Sequence, residues 1–174
     1  MTFVSGDGFT ALFRDFTRTA FRLEVRDQYD APDEVERFRK FLAGEGYDTA
    51  SRLAAPWWQM IHKATSEQGK QVRRVRVVTE PHGDYTRYAL VGARINLDGG
   101  EDIRYLPRDR AREIGLPEHD FWLFDERLVA WMHFDDNGAL TSTELIEEPA
   151  VVEQHLAWQA LAWEHAIPYD DYIR

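Results

Sequence analysis

The segment that most constrains the fold of this chain is a valine-rich run, Gln71–Val78 (QVRRVRVV), which has the composition of a core strand. The turn signal Glu80–Gly83 (EPHG) follows it, and a helix is then predicted from Asp84, a residue type favoured at helix N-caps. A second short strand is predicted at 103–106. A strand, a helix and a strand in this order are typical of an α/β unit. The sequence therefore predicts a sheet whose central strands are parallel.

Apolar spacing also predicts the elements on either side of this unit. Before it, we expect a helix at 9–16, a strand at 21–26 and helices at 35–42 and 50–67; after it, a short helix at 108–114, strands at 121–124, 128–134 and 139–145, and a final helix at 148–165. The predicted fold class is α/β (α+β), with a mixed sheet, N-terminal helices, an antiparallel β-meander and a C-terminal helix packed on the sheet. We expect one domain, residues 1–174.

Charge is distributed unevenly along the chain. The net charge is −10, and 13 of the 31 acidic residues lie within residues 118–174, where Arg127 and Arg174 are the only arginines or lysines. An acidic surface repels phosphates, so direct nucleic-acid binding is disfavoured and a basic protein partner is favoured. The chain has no cysteine, no apolar run long enough to span a bilayer and no leader-like start, so we expect a cytoplasmic protein with no membrane association. A homodimer is left open.

The arginines of the valine-rich strand are its most specific feature. Side chains alternate between the two faces of a strand, so Arg74 and Arg76 share one face and Arg73 points to the other. Two arginines on the face of an interior strand need partners, because an unpaired buried charge costs several kcal/mol. One interpretation is internal ion pairing, for which the candidate carboxylates are Glu80, Asp84, Asp102 and Asp125.

The other interpretation is a pocket for an anionic ligand. Arg104 on the neighbouring strand and Arg87 on the following helix would complete it. Ligands of α/β sheets sit at the carboxyl ends of the strands, which places Glu80, His82 and Tyr85 at the mouth. The candidate ligand-binding residues are Arg74, Arg76, Glu80, His82, Arg87, Arg104 and Asp125.

Signatures of the common catalytic and cofactor sites are absent from the sequence. There is no phosphate-binding glycine-rich loop, no nucleophile elbow and no metalloprotease helix, and the six histidines are scattered. We therefore predict no catalytic residue, no metal site and no cofactor. The predicted interaction surface comprises Trp58, whose indole points away from its helix's apolar stripe, together with Asp135 and Asp136.

Several blocks of the sequence resemble an actinobacterial domain-of-unknown-function family, number 6879. They are GKQVRRVRVVTEPHGDYTRY, GGEDIRYLPR, FWLFDERLVAWMHFDDNG and WQALAWEHAIPYDDY, and the resemblance covers nearly the whole chain. Members of that family are typically encoded beside helix-turn-helix regulators and small acidic proteins. The resemblance implies a regulatory or interaction role, with a helix-turn-helix regulator as partner.

A more distant resemblance is to one half of the phospholipase D-like fold. In that fold a glycine leads into a strand similar to 69–76, and a later strand carries His-x-Lys-x4-Asp. Here the equivalent strand, 118–125, has Glu118 and Asp120 where the histidine and lysine belong. Phosphodiester chemistry through a phosphohistidine is therefore not expected. We predict a non-enzymatic regulatory domain; the alternative is an effector or enzyme that binds a nucleotide or phosphorylated ligand in an arginine-lined pocket.

Overall fold

A computed structural model describes all residues, 1–174, and shows one eight-stranded sheet with helices on both faces. The strands are β1 (Thr2–Val4), β2 (Thr19–Glu24), β3 (Gln71–Val78), β4 (Glu101–Pro107), β5 (Phe121–Phe124), β6 (Leu128–Phe134), β7 (Leu140–Ile146) and β8 (Ile167–Pro168). The helices are α1 (Gly6–Asp15), α2 (Val35–Leu42), α3 (Thr49–Ala54), α4 (Pro56–Ser66), α5 (Asp84–Asp98), α6 (Arg108–Glu113), α7 (Pro149–His165) and α8 (Tyr169–Tyr172).

The sheet is mixed, as predicted. Its strand order is β1-β7-β6-β5-β2-β3-β4-β8. The central strands β2, β3 and β4 are parallel to one another, whereas β5, β6 and β7 form an antiparallel meander that joins the sheet by pairing β5 with β2. The α/β unit predicted from residues 71–106 is present as β3, α5 and β4, in which β3 and β4 are adjacent parallel strands.

The two faces of the sheet differ in their chemistry. One face, called here the arginine face, carries the side chains of Arg22, Arg74 and Arg76 and is covered by α1 to α5, with α8 at one edge. The opposite face is mainly apolar, and α6 and α7 pack on it through residues such as Ala111 and Ala162. The apolar core of the arginine face is split into two clusters, one beneath α1 and α4 and one beneath α5 and α8.

The helix predicted at 50–67 is two helices. Ala55 is extended, with ψ of 130°, and Pro56 is the first residue of α4. A proline disfavours the helical conformation of the residue before it but fits the first turn of a new helix, so the break occurs here. Asp84 lies in the first turn of α5 and does not cap it; the cap residue is Gly83, which makes no side-chain bond.

Three short elements carried no sequence signal, namely β1, β8 and α8. β1 and β8 have three and two residues, and each is a strand only because it pairs with a longer one, β7 or β4. The strand predicted at 21–26 lies at Thr19–Glu24. None of the eight helices combines the length and the apolar character that crossing a bilayer requires.

Candidate functional site

Charged side chains form a layer at the centre of the arginine face. Alternation along β2 and β3 directs Arg22, Glu24, Arg74 and Arg76 to this face, and the parallel register places Arg22 beside Arg74 and Glu24 beside Arg76. Glu101, at the start of β4, lies in the adjacent strand. The sequence pattern of two adjacent parallel strands therefore brings cations and anions together on one buried surface.

Glu24 is the centre of this layer. One of its carboxylate oxygens accepts a hydrogen bond from Nη1 of Arg74 at 2.5 Å, and the other accepts one from Nε of Arg76 at 2.6 Å. Nε of Arg22 lies 3.7 Å from Oε1 of Glu24. The residue is only 5% exposed. Burial alone would raise the pKa of Glu24, but Arg74, Arg76 and Arg22 together lower it to about 2, so the carboxylate is ionised at neutral pH.

Two further carboxylates complete the layer. Arg74 donates from Nε to Glu101 at 2.6 Å, and Arg22 donates from Nη2 to Asp120 at 2.6 Å. Asp120 also accepts from the backbone N–H of Val25 and from the hydroxyl of Tyr29. Three arginines thus face three carboxylates, and the layer is neutral overall.

A cavity of about 220 Å³ lies between this layer and the covering helices, and is called here the sheet cavity. One stripe of α5 forms its wall, and the charged layer forms much of its floor. Aromatic, aliphatic and further charged side chains form the rest of its lining. The lining residues are Phe9, Arg22, Glu24, Asp33, Glu34, Tyr47, Arg52, Trp57, Arg74, Arg76, Tyr85, Tyr88, Ala89, Gly92, Ala93, Asn96, Ile103, Tyr105, Trp122 and Met132.

Three residues of this lining carry a buried polar atom that has no hydrogen-bond partner in the protein. These atoms are Nη1 of Arg22 and the hydroxyls of Tyr88 and Tyr105. Burial raises the pKa of Tyr105 to about 12, so its hydroxyl is neutral and able to donate. Unsatisfied buried polar atoms are uncommon in folded proteins and call for an explanation such as a bound water, ion or ligand.

Arg74 and Arg76 are ion-paired, but with carboxylates other than the candidates chosen from the sequence. Their partners are Glu24 and Glu101. The four candidates lie elsewhere. Asp84 pairs with Arg87, Asp102 is exposed at the start of β4, Glu80 lies beyond the end of β3, and Asp125 follows β5.

Arg104 and Arg87 do not join the other two arginines. Arg104 lies on the opposite face, where its guanidinium stacks on Trp163 with 3.9 Å to the ring centroid. The register pairs it with Val75 rather than with an arginine-face residue. Arg87 is exposed; it pairs with Asp84 and donates to the carbonyl of His82. The structure therefore brings together two of the four predicted arginines, Arg74 and Arg76, and places Arg104 and Arg87 elsewhere.

Glu80 and His82 meet through a residue from the other end of the chain. The hydroxyl of Tyr172 donates to Glu80 at 2.5 Å and lies 2.6 Å from Nε2 of His82. Tyr85, predicted beside them, turns instead toward α2, and its hydroxyl donates to Glu34 at 2.7 Å. Tyr85 thus lines the sheet cavity, whereas Glu80 and His82 do not.

Asp125 has a structural position far from the cavity arginines. Its two oxygens accept hydrogen bonds from the backbone N–H groups of Thr17, Arg18 and Thr19, at 2.7 to 3.0 Å. Burial would raise the pKa of Asp125, but these backbone bonds lower it. The carboxylate therefore joins the start of β2 to the end of β5.

The residues predicted as an interaction surface are divided. Trp58 is half-buried, donates from Nε1 to the carbonyl of Ile95 and stacks on His62, so it joins α4 to α5. Asp135 is exposed and orders the β6–β7 turn by accepting from two backbone N–H groups. Asp136 is exposed, and its side chain forms no hydrogen bond or ion pair within the chain.

Five charged residues of the cavity lining were missed from the sequence, namely Arg22, Glu24, Asp33, Glu34 and Arg52. Glu101 and Asp120, which pair with arginines of the layer, were missed as well. For Arg22 and Glu24 a signal existed, since alternation in the predicted strand at 21–26 places them on one face. Their pairing with β3 depends on which strand neighbours β3 and in what register, and neither is readable from local pattern.

The chain was compared with curated proteins and with protein-family models. No curated protein matches the chain. A family model described as a domain of unknown function (DUF6879) matches residues 7–174, nearly the whole sequence. The chain therefore belongs to the DUF6879 family.

Proposed function

We propose that this chain is a non-enzymatic, ligand-responsive regulatory domain and that the sheet cavity is its ligand-binding site. The observation that carries the proposal is the lining of that cavity. Arg22, Tyr88 and Tyr105 each hold a buried polar atom without a protein partner, and the walls around them are aromatic. Of the 20 lining residues, 11 are hydrophobic, and small-molecule sites are usually concave with mainly apolar and aromatic walls.

The chemistry of the lining favours binding over catalysis. Its residues include no histidine, serine, threonine, lysine or cysteine, which supply most nucleophiles and general bases. Glu24 is held ionised by three arginines with a pKa of about 2, which makes it a weak base at neutral pH. These features support a site that holds a ligand without transforming it.

A screen by thermal shift tests the proposal, with nucleotides, phosphates and aromatic acids as the panel. A ligand present at about 100 times its Kd stabilises the folded state by about 2.7 kcal/mol. Ala89 lines the cavity from α5, so Ala89→Phe should fill it and abolish that gain. Val91 is on the same helix but 46% exposed, so Val91→Phe is the matched control and should keep the gain. Equal gains in both variants would place the ligand outside the cavity.

The same screen addresses the alternative of a nucleotide or phosphorylated ligand. Guanidinium groups bind phosphates well, and four of them line the cavity, of which Arg52 forms no ion pair within the chain. Stabilisation by nucleotides but not by unphosphorylated compounds, followed by turnover of the nucleotide, would establish the enzyme alternative. We also keep as a proposal the distant kinship to the phospholipase D-like fold, which is supported by the strand that follows Gly69.

We further propose a helix-turn-helix regulator as the protein partner. Support comes from exposed acidic residues that form no ion pair within the chain, among them Glu126, Asp136, Glu148, Glu153 and Glu164. Such a surface suits a basic DNA-binding partner, and the association should weaken as salt increases. A pull-down with a helix-turn-helix regulator as the bait, at low and at high salt, tests this. Absence of association at both salt concentrations would contradict it.

A further inference from the structure

We propose that the ligand of the sheet cavity is a planar molecule with a single negative charge, such as an aromatic carboxylic acid, and that Arg52 receives its anionic group. This rests on the proposed function, since it assigns a ligand class to the same cavity. In this proposal Arg52 binds the anionic group of the ligand, rather than Arg74 and Arg76, the residues that the sequence predicted.

Arg52 is the one arginine of the cavity lining that forms no ion pair. Four guanidinium groups line the cavity, and three of them, those of Arg22, Arg74 and Arg76, are paired with buried carboxylates. Arg52 is only 7% exposed and forms no ion pair; Nη2 donates to the amide oxygen of Asn96 at 3.0 Å. An almost fully buried guanidinium without a carboxylate is the one cation of the lining that an incoming anion can compensate.

The same accounting limits the ligand to one negative charge. The charged residues of the lining and their ion-pair partners comprise five arginines and five carboxylates: Arg22, Arg37, Arg52, Arg74 and Arg76, with Glu24, Asp33, Glu34, Glu101 and Asp120. A phosphate dianion would bring two negative charges to a lining whose unpaired charged groups are one cation, Arg52, and one anion, Glu34. Burying the second charge without a partner costs several kcal/mol. A carboxylate brings one charge and forms two parallel hydrogen bonds with a guanidinium.

The position of Glu34 orients the ligand. Glu34 accepts from Tyr85 at 2.7 Å and forms no ion pair, so its end of the cavity repels an anion. Tyr85 and Asn96 lie on the same helix, eleven residues apart, which corresponds to about 16 Å at about 1.5 Å per residue. Arg52 is at the Asn96 end of the cavity and Glu34 at the Tyr85 end. The anionic group is therefore directed to Arg52, and a hydrogen-bond donor on the ligand is favoured toward Glu34.

The walls between these ends favour a flat molecule. Aromatic rings of Tyr47, Trp57, Tyr88 and Trp122 contribute to the lining, and Tyr47 and Tyr88 are themselves stacked with 5.2 Å between centroids. Tyr47 also packs against Gly92, where an added Cβ would lie 2.5 Å from the tyrosine hydroxyl. Aromatic walls prefer offset stacking or edge contact with another planar ring. A planar ring with one carboxylate matches both the walls and the charge.

Isothermal titration with three probes tests the inference: indole-3-carboxylate, the corresponding uncharged carboxamide, and phenyl phosphate. We expect the carboxylate to bind and the other two to bind about tenfold more weakly or worse, since a hydrogen bond to a charged group contributes about 1.5 to 3 kcal/mol. Arg52→Gln should weaken carboxylate binding by about tenfold or more, and Arg52→Lys, which keeps the charge, should recover part of it. Arg73→Gln, on the opposite face, is the control and should bind as the unmodified chain does.

Outcomes that overturn the inference are distinct from failure of the proposed function. Equal binding of the carboxamide, preference for phenyl phosphate, an unchanged Kd in Arg52→Gln, or no binding of any probe would overturn the ligand class. Those results leave the cavity as a site for another ligand, which the wider screen with Ala89→Phe decides. Circular dichroism of Arg52→Gln and Arg52→Lys shows whether each variant is folded; if Arg52→Gln is not, the comparison of Arg52→Lys with the control carries the test.

Discussion

Replacing Glu24 with glutamine should destabilise the fold more than any other single change of charge on the arginine face. Arg22 keeps Asp120 and Arg74 keeps Glu101, but Arg76 has no carboxylate other than Glu24. Leaving a buried charge unpaired costs about 3 to 5 kcal/mol. The lowering of the Glu24 pKa from 4.5 to about 2 leads independently to about 3 kcal/mol, at 1.36 kcal/mol per pKa unit.

Urea denaturation of Glu24→Gln at pH 7 measures this loss as a lower midpoint at an unchanged slope. Glu147→Gln is the matched control, because Glu147 pairs with Arg127 on the surface and its replacement should leave the midpoint unchanged within error. The double variant Glu24→Gln/Arg76→Met removes both the carboxylate of Glu24 and the guanidinium of Arg76, which Glu24→Gln alone would leave unpaired. It should recover most of the lost stability, since replacing a buried pair by apolar groups is often neutral.

Acid titration of the unmodified chain provides a second measure of the same interaction. Because the pKa of Glu24 is lower in the folded state, its contribution is present above pH 4.5 and is lost as the pH falls toward about 2. Glu24→Gln should lack this part of the pH dependence. A loss below about 1 kcal/mol in Glu24→Gln, or a double variant as unstable as the sum of the two single variants, would refute the ion-pair reasoning.

Three further changes test other parts of the fold. Asp125→Asn keeps the shape of the side chain but removes the charge that binds the backbone N–H groups of residues 17–19, so the free energy of unfolding in urea should fall by about 1 to 2 kcal/mol. Burial, with His155 and His133 nearby, lowers the pKa of His119 from 6.5 to about 4. His119 therefore binds its proton at a higher pH in the unfolded chain than in the folded chain. The free energy of unfolding should decrease as the pH falls from 6.5 toward 4, and His119→Phe should remove that part of the decrease. Arg104→Met should lower the thermal midpoint through loss of the contact with Trp163, at a cost of about 1 kcal/mol.

Local pattern was enough to predict the elements whose signal lies within their own residues. The strand 71–78, the helix after Gly83 and the meander strands each have an apolar period and a turn signal, and each is present in the structure. The break at Pro56 was also readable, since proline restricts the residue before it. The apolar stripe of residues 53–64 continues across the break and concealed it.

The partners of the arginines depended on information that local pattern does not hold. Alternation was sufficient to place Arg74 and Arg76 on one face. Choosing Glu24 and Glu101 required knowing that β2 and β4 both flank β3, and in which register. Arg104 shows the same limit, because a shift of one residue in register moves a side chain to the opposite face.

The position of β2 in the sheet has a consequence for the synthesis of the chain. β2 lies between β3 and β5, and Ala20 pairs with Phe124, more than a hundred residues later. A ribosome that has completed β4 has therefore produced the parallel half of the sheet with one edge of β2 unpaired. Unpaired edges recruit other strands and promote aggregation. N-terminal fragments that end before Phe121 should accordingly be prone to aggregation. Pairing of β5 with β2 covers the free edge once the meander has been synthesised.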